Sequence, residues 1–119
     1  MNNNSGAWGE AKARAYLLKH NYEILATNYH SRFGEIDIIA KQDNTLCFIE
    51  VKTRKQNSLY QPIEAVTPAK QMKIVQTAQI YLLKEKILAN LACRFDVIEV
   101  VYYNRYIFTI NHLKGAFEL

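Results

Sequence analysis

Asp37, Glu50 and Lys52 are the residues whose types and spacing first suggest chemistry. Gly34 to Lys41 and Leu46 to Arg54 read as the two strands of a β-hairpin. Between them Gln42-Asp43-Asn44-Thr45 is turn chemistry, because Asp and Asn tolerate a left-handed backbone and hydrogen-bond locally. A turn centred on Asp43-Asn44 sets Lys41 against Leu46, Ile39 against Phe48, Asp37 against Glu50 and Glu35 against Lys52. Residues paired in this way sit about 5 Å apart at Cβ, and like charges there are destabilising. At an effective dielectric typical of a protein surface the repulsion is roughly 3 kcal/mol, and about 1 in water. A chain keeps such a pair cheaply only with something cationic between the carboxylates. Lys52, on the face of Glu50, is one candidate. A divalent metal is another, since Mg²⁺ favours one or two carboxylates plus waters and substrate phosphates. Two acids and a lysine at one end of a hairpin suit metal-assisted attack of water on a phosphodiester.

The elements that must position these groups follow from periodicity. Strand alternation places Ile36, Ile38, Ala40, Cys47, Ile49 and Val51 on one uncharged core face. The other face carries Ile39 and Phe48 near the turn, then Glu35, Asp37, Glu50, Lys52 and Arg54. Ahead of the hairpin, a helix is expected from about Gly6 to His20, with Trp8, Ala11, Ala15 and Leu18 as its apolar stripe and Asn21 as a stop. Glu10 and Arg14, four apart, read by themselves as a solvated ion pair. Tyr22 to Tyr29 reads as a strand with Ile24 and Ala26 on one side. His30-Ser31-Arg32 links it to the hairpin; His30 has no obvious partner, and Arg32 is either a phosphate contact or a solvated side chain.

After the hairpin, Lys55 to Ile63 reads as a polar loop holding Tyr60 and Pro62, either a substrate-contacting element or a bare connector. Thr67 as N-cap and Pro68 at the first helical position start a second helix that runs to about Lys86. Val75, Ala78 and Leu82 face its core. Lys70, Lys73, Thr77 and Lys84 share a stripe, which is an ordinary wet face or a set of phosphate contacts without sequence preference. Lys70 is the one nearest the site. Phe95 to Tyr103 is a strand apolar on both faces, and Asn104-Arg105 turns into a last strand from Tyr106 to about Ile110. Asp96 reads better as a hydrogen-bonded or ion-paired acid at a strand start than as a fourth site acid. Tyr102, Tyr103 and Tyr106 either stack bases or complete a core or oligomer contact.

At 119 residues, half of them apolar, the chain suits a single domain over residues 1–119 with a real core. A net charge of +4 and a pI near 9.1 fit a polyanionic partner without requiring one. Cys47 and Cys93 lack metal-ligand spacing, and Cys47 falls on the core face as a buried free thiol. No signal peptide or membrane-length apolar run is visible, so a reducing cytoplasm and no membrane are expected.

Asp37 followed by Glu50-Val51-Lys52 resembles the acidic-x-lysine signature of the PD-(D/E)xK nuclease superfamily, with Ile36 standing where a proline is usual. The wider text resembles the YraN-like family of uncharacterised bacterial proteins. The matching pieces are Gly9-Glu10 with Ala11 and Ala15, Gly34-Glu35-Ile36-Asp37, Phe48 to Arg54, Glu64-Ala65-Val66 to Lys70, Arg94-Phe95-Asp96-Val97 and Ala116-Phe117. Gln61 departs from the glycine usual after the aromatic at Tyr60. The resemblance implies an α/β restriction endonuclease-like fold, a mixed sheet flanked by helices in the order α-β-β-β-α-β-β. It implies a Mg²⁺- or Mn²⁺-dependent endonuclease for DNA rather than RNA, with branched or structured DNA as a candidate substrate. Asp37 and Glu50 would bind metal and Lys52 would orient or activate water. Glu10 would join the metal site, as a first-helix glutamate does in similar Holliday-junction resolvases. Glu35 would hold Lys52, and Arg54, Lys70, Lys73 and Arg32 would meet phosphate. A homodimer is the assembly small nucleases of this kind often adopt. Two other readings stand beside it: a nucleic-acid-binding module of the same fold with little or no cleavage, and an accessory subunit docking through its tyrosine-rich C-terminal half.

Overall fold

In the computed structural model, residues 4–56, 66–86 and 90–118 are described. Their order is α1 (Ser5–Lys19), β1 (Glu23–His30), β2 (Glu35–Gln42), β3 (Thr45–Lys55), α2 (Pro68–Lys84), β4 (Ala92–Asn104) and β5 (Ile107–Phe117). The five strands form one sheet in chain order, β1-β2-β3-β4-β5. All neighbours are antiparallel except β3 and β4, which run parallel across the α2 connection. A parallel pair needs a crossover of this kind. The result is the expected restriction endonuclease-like α/β arrangement. Tyr60, Gln61 and Pro62 of the polar loop, with Glu64-Ala65, lie outside the described residues. No helix among the described residues is long and apolar enough to cross a membrane.

Two cores sandwich the sheet. Beneath α1, Ala13 and Leu17 meet Ile38, Ala40, Cys47, Ile49, Val51, Ile98 and Val100. Beneath α2, Ile74, Val75, Ala78 and Tyr81 meet Ile36, Ile39, Phe48, Phe95 and Val97. The strands between them are therefore buried on both sides, which fits their near-continuous apolar text.

Four expectations are corrected. The buried face of α1 is Gly9, Ala13 and Leu17, whereas Ala11 and Ala15 are exposed and Leu18 is 61% exposed. Gly9 stands where the helix comes very close to the sheet: a Cβ there would lie 1.8 Å from Thr53 Oγ1. Ile24 and Ala26 serve opposite cores, because the β1–β2 register shifts between them and this bulge resets the alternation. Ile36 joins the α2 core, not the α1 core of Ile38 and Ala40, because β2 leaves the β3 ladder after Ile38. Thr77 is not on a wet stripe. It is fully buried, shares a 2.7 Å hydrogen bond with the Ser31 hydroxyl, and donates to the Lys73 carbonyl.

Candidate metal and phosphate site

The hairpin register is as expected near the turn, with Lys41 against Leu46 and Ile39 against Phe48. Asp43 takes the left-handed backbone (φ 52°) that its turn position requires. Beyond Ile38–Ile49 the ladder stops. The Asp37 carboxylate replaces it: Oδ2 accepts the Val51 N–H at 2.8 Å. The strands open like a fork, and the acid of one strand caps the free backbone donor of the other.

The Asp37 and Glu50 carboxyls line one cleft and stand close enough to interact strongly. Burial, together with that contact and the Glu50 charge, pushes the Asp37 carboxyl up to about 8. Two carboxylates this close cannot both ionise cheaply in a half-dry cleft. At neutral pH the pair shares a proton or requires a cation.

Cations are at hand. Lys70 Nζ, from the first turn of α2, lies 3.5 Å from Glu50 Oε1. Lys52 and Lys70 stand close enough for each amine to feel the other. Burial and then the Lys70 neighbour lower the pKa of Lys52. Burial works against the Lys70 ammonium too, but the Lys52 amine and the Glu50 carboxylate outweigh it and raise its pKa. Lys70 is thus the charged partner and Lys52 the more readily deprotonated amine. An open cleft of about 360 Å³ holds this chemistry, with Asp37, Glu50, Glu35, Lys70 and Lys73 in its lining. Thr67 accepts the Lys70 N–H and caps α2 at the same cleft.

Glu10, from α1, stands outside the lining of the cleft and is linked to its edge through Asn28, which also bonds the lining Glu35. The Glu10 carboxylate accepts from Asn28 Nδ2 at 3.0 Å. Burial raises its pKa, the Asn28 bond lowers it, and the charges of Asp37 and Glu35 raise it again. Among the described residues no three acidic, His or Cys side chains stand close enough to hold a metal ion. Asp37 and Glu50 are the two carboxyls here that could hold a divalent ion, and hard oxygen donors of that number would suit Mg²⁺, which keeps most of its waters.

Other expected site residues are placed elsewhere. Glu35 does not pair with Lys52, because the ladder that would align them has ended; it accepts from Asn28 at 3.0 Å and lies 3.6 Å from His30 Nε2. His30 is a strand residue opposite Glu35, not an unpartnered loop histidine. Arg54 points along the sheet to Glu99, which also accepts from Asn111. Arg32 lies over the ring of Phe33, 4.8 Å from its centroid, and is exposed. Asp96 is structural, as expected: Arg94, His112 and the Gly115 N–H all bond its buried carboxylate. A second cleft of about 380 Å³, lined by Arg94, Phe95, Gly115 and Glu118 among others, adjoins that network, and its Arg94 is already paired with Asp96.

Sequence reading missed Asn28 and Glu99. Glu99 is only 2% exposed and sits beside Lys52 in the parallel register. Its one signal was an acid inside an apolar strand, which demands a partner. For Asn28 the register is the signal. Thr27 pairs with Ile38 and Tyr29 with Ile36, so Asn28 stands across from Asp37.

Residues 9–100 match the model of the uncharacterised protein family UPF0102. The chain belongs to that family. It is 45% identical over 117 residues to a UPF0102 protein of Chlorobium chlorochromatii, covering 94% of this chain and 89% of the relative. A UPF0102 protein of Clostridium tetani is 45% identical over 119 residues, with 99% and 97% covered. One of Acinetobacter baumannii is 47% identical over 93 residues, with 78% and 70% covered. The UPF0102 match spans Glu10, Asp37, Glu50, Lys52 and Lys70, the residues gathered at or beside the cleft.

Proposed function

We propose that this UPF0102 chain is a Mg²⁺-dependent endonuclease that hydrolyses phosphodiester bonds of DNA. The observation that carries the reading is the Asp37–Glu50 carboxyl pair sharing one cleft with Lys70, whose amine also interacts with Lys52 beside it. A divalent ion held by that pair would lower the pKa of a water and offset phosphate charge. The chain's own residues do the rest. Asp37 is held by the Val51 N–H, which leaves its other oxygen toward Glu50. Lys52, whose amine burial and Lys70 shift toward releasing its proton, would orient or activate the attacking water. Lys70 and Lys73 line the same cleft and suit the phosphate flanking the scissile bond. Branched or otherwise structured DNA is the first substrate to try.

One observation favours a binding module with little cleavage instead. Lys70 already gives Glu50 a cationic partner at 3.5 Å, which reduces the need for a metal. The two readings separate on supercoiled, linear and four-way-junction DNA incubated with Mg²⁺ or with chelator. The nuclease reading expects metal-dependent cutting that falls at least about a hundredfold in Glu50→Ala and Lys52→Ala. Salt-sensitive binding with no metal-dependent cutting sinks the nuclease and supports the module.

A further inference from the structure

Among the described residues, three that are not glycine have positive φ: Asn21, Asn28 and Asp43. Asn21 follows the end of α1 and Asp43 is in the hairpin turn, where left-handed backbone is ordinary. Asn28 is different. At φ 49° it lies inside β1, with paired residues on both sides. A strand residue gains nothing locally from that conformation, so its reason lies in what the side chain reaches.

The side chain reaches two acids. Its amide nitrogen donates to Glu10 Oε1 and to Glu35 Oε1, each at 3.0 Å. Both partners are carboxylates, which when ionised only accept, so the nitrogen must face them and both of its protons are used. The three residues come from α1, β1 and β2, and Asn28 stands across from Asp37. Gly9, next to Glu10, is where α1 comes very close to β3.

We infer that Asn28 is a positioning residue that holds Glu10 beside the Asp37–Glu50 cleft and so tunes cation binding there. The inference rests on the metal-site reading above. Glu10 is too far to complete a three-acid cage with that pair, but a nearby carboxylate fixed in place can order the water around a hydrated ion. Groups that orient what surrounds a metal typically change its affinity about 10- to 100-fold when removed. Asn28 acts through Glu10, so the two should not behave as independent contributors.

The test is calorimetric titration of Mn²⁺ into the intact chain. Asn28→Gly keeps the left-handed backbone at no steric cost and removes only the amide, so it should fold. The expected result is a tenfold or larger loss of Mn²⁺ affinity in Asn28→Gly and in Glu10→Gln, with the double variant no weaker than the worse single one. Affinity in Asn28→Gly equal to the parent, or losses that multiply in the double variant, overturns the positioning role. Asp37→Asn serves as the control for the metal site itself. If the parent chain binds Mn²⁺ and Asp37→Asn does not, the metal reading stands whatever Asn28 does. If the parent binds no Mn²⁺, both readings fall.

Discussion

Replacing Asp37 by Asn tests the carboxyl pair without DNA or metal. The Asp37 carboxyl is raised from 3.8 to about 8. A folded-state pKa above the unfolded one means that the folded protein holds a proton the unfolded chain has released. Stability from this group is then fully present below about pH 4 and is lost as pH climbs toward 8. At about 1.4 kcal/mol per pH unit the ceiling is near 6 kcal/mol. The proton belongs to the pair rather than to Asp37 alone, so roughly half, about 3 kcal/mol, is the reasonable expectation. For a domain of this size that is a fall in Tm of about 10 °C. The amide introduced by Asp37→Asn keeps an oxygen for the Val51 N–H and can donate to Glu50, so the fork should survive without the buried repulsion. Thermal melts in chelator from pH 4.5 to 8.5 should show a falling Tm for the parent and a flatter line for Asp37→Asn. Mg²⁺ or Mn²⁺ at pH 8 should raise the parent and leave the variant unmoved. Parallel pH profiles for the two proteins would refute the idea that these carboxyls repel one another in the fold.

Other expectations come from packing and burial. Gly9→Ala places a methyl 1.8 Å from Thr53 Oγ1; it should destabilise by about 1–3 kcal/mol in urea melts, and Thr53→Ala should relieve part of that cost. Asp96→Asn leaves Arg94 and His112 without their anion and should cost about 3–5 kcal/mol. Burial works against the Asp96 charge, but the His112 and Arg94 bonds hold its carboxyl below the usual range. Its contribution is therefore present above the ordinary carboxylate pKa and lost only in more acid solution, and a parent-minus-variant melt series should narrow there. Cys47 is buried with its thiol pushed up to about 11, whereas Cys93 is exposed. A thiol reagent should modify Cys93 quickly and reach Cys47 only on unfolding.

Local chemistry was legible from sequence wherever it acts at short range. Asp43-Asn44 fixed the hairpin turn, Thr67-Pro68 the start of α2, and counting outward placed Ile39 on Phe48. The strand pairing expected of Asp37 with Glu50 is absent, since the ladder ends one residue short of it, yet both side chains line the cleft. The errors arise where alternation is interrupted. The bulge at Leu25 and the opening of β2 beyond Ile38 each move side chains to the other face, and no residue in either stretch signals it. Glu35 was lost to Asn28 for the same reason. The face of α1 was misread because hydrophobicity favoured Leu18 and Ala11, while the helix comes very close to the sheet at Gly9. β5 reaches Phe117, well past Ile110, since an edge strand needs a partner on one side only and its polar Asn111 to Lys114 stretch hides it. Arg54 looked free for phosphate because its partner, Glu99, lies 45 positions away.

The seating of Gly9 on Thr53 also divides the labour of the two cleft walls. One wall is the strands that bear the acids, and the first helix is seated on the sheet behind them with no room for even a methyl group at Gly9. The other wall presents Lys70 and Lys73, amines on long, rotatable stems. Adjustment to an incoming polyanion must then come from the lysine side, while the acids stay where folding put them.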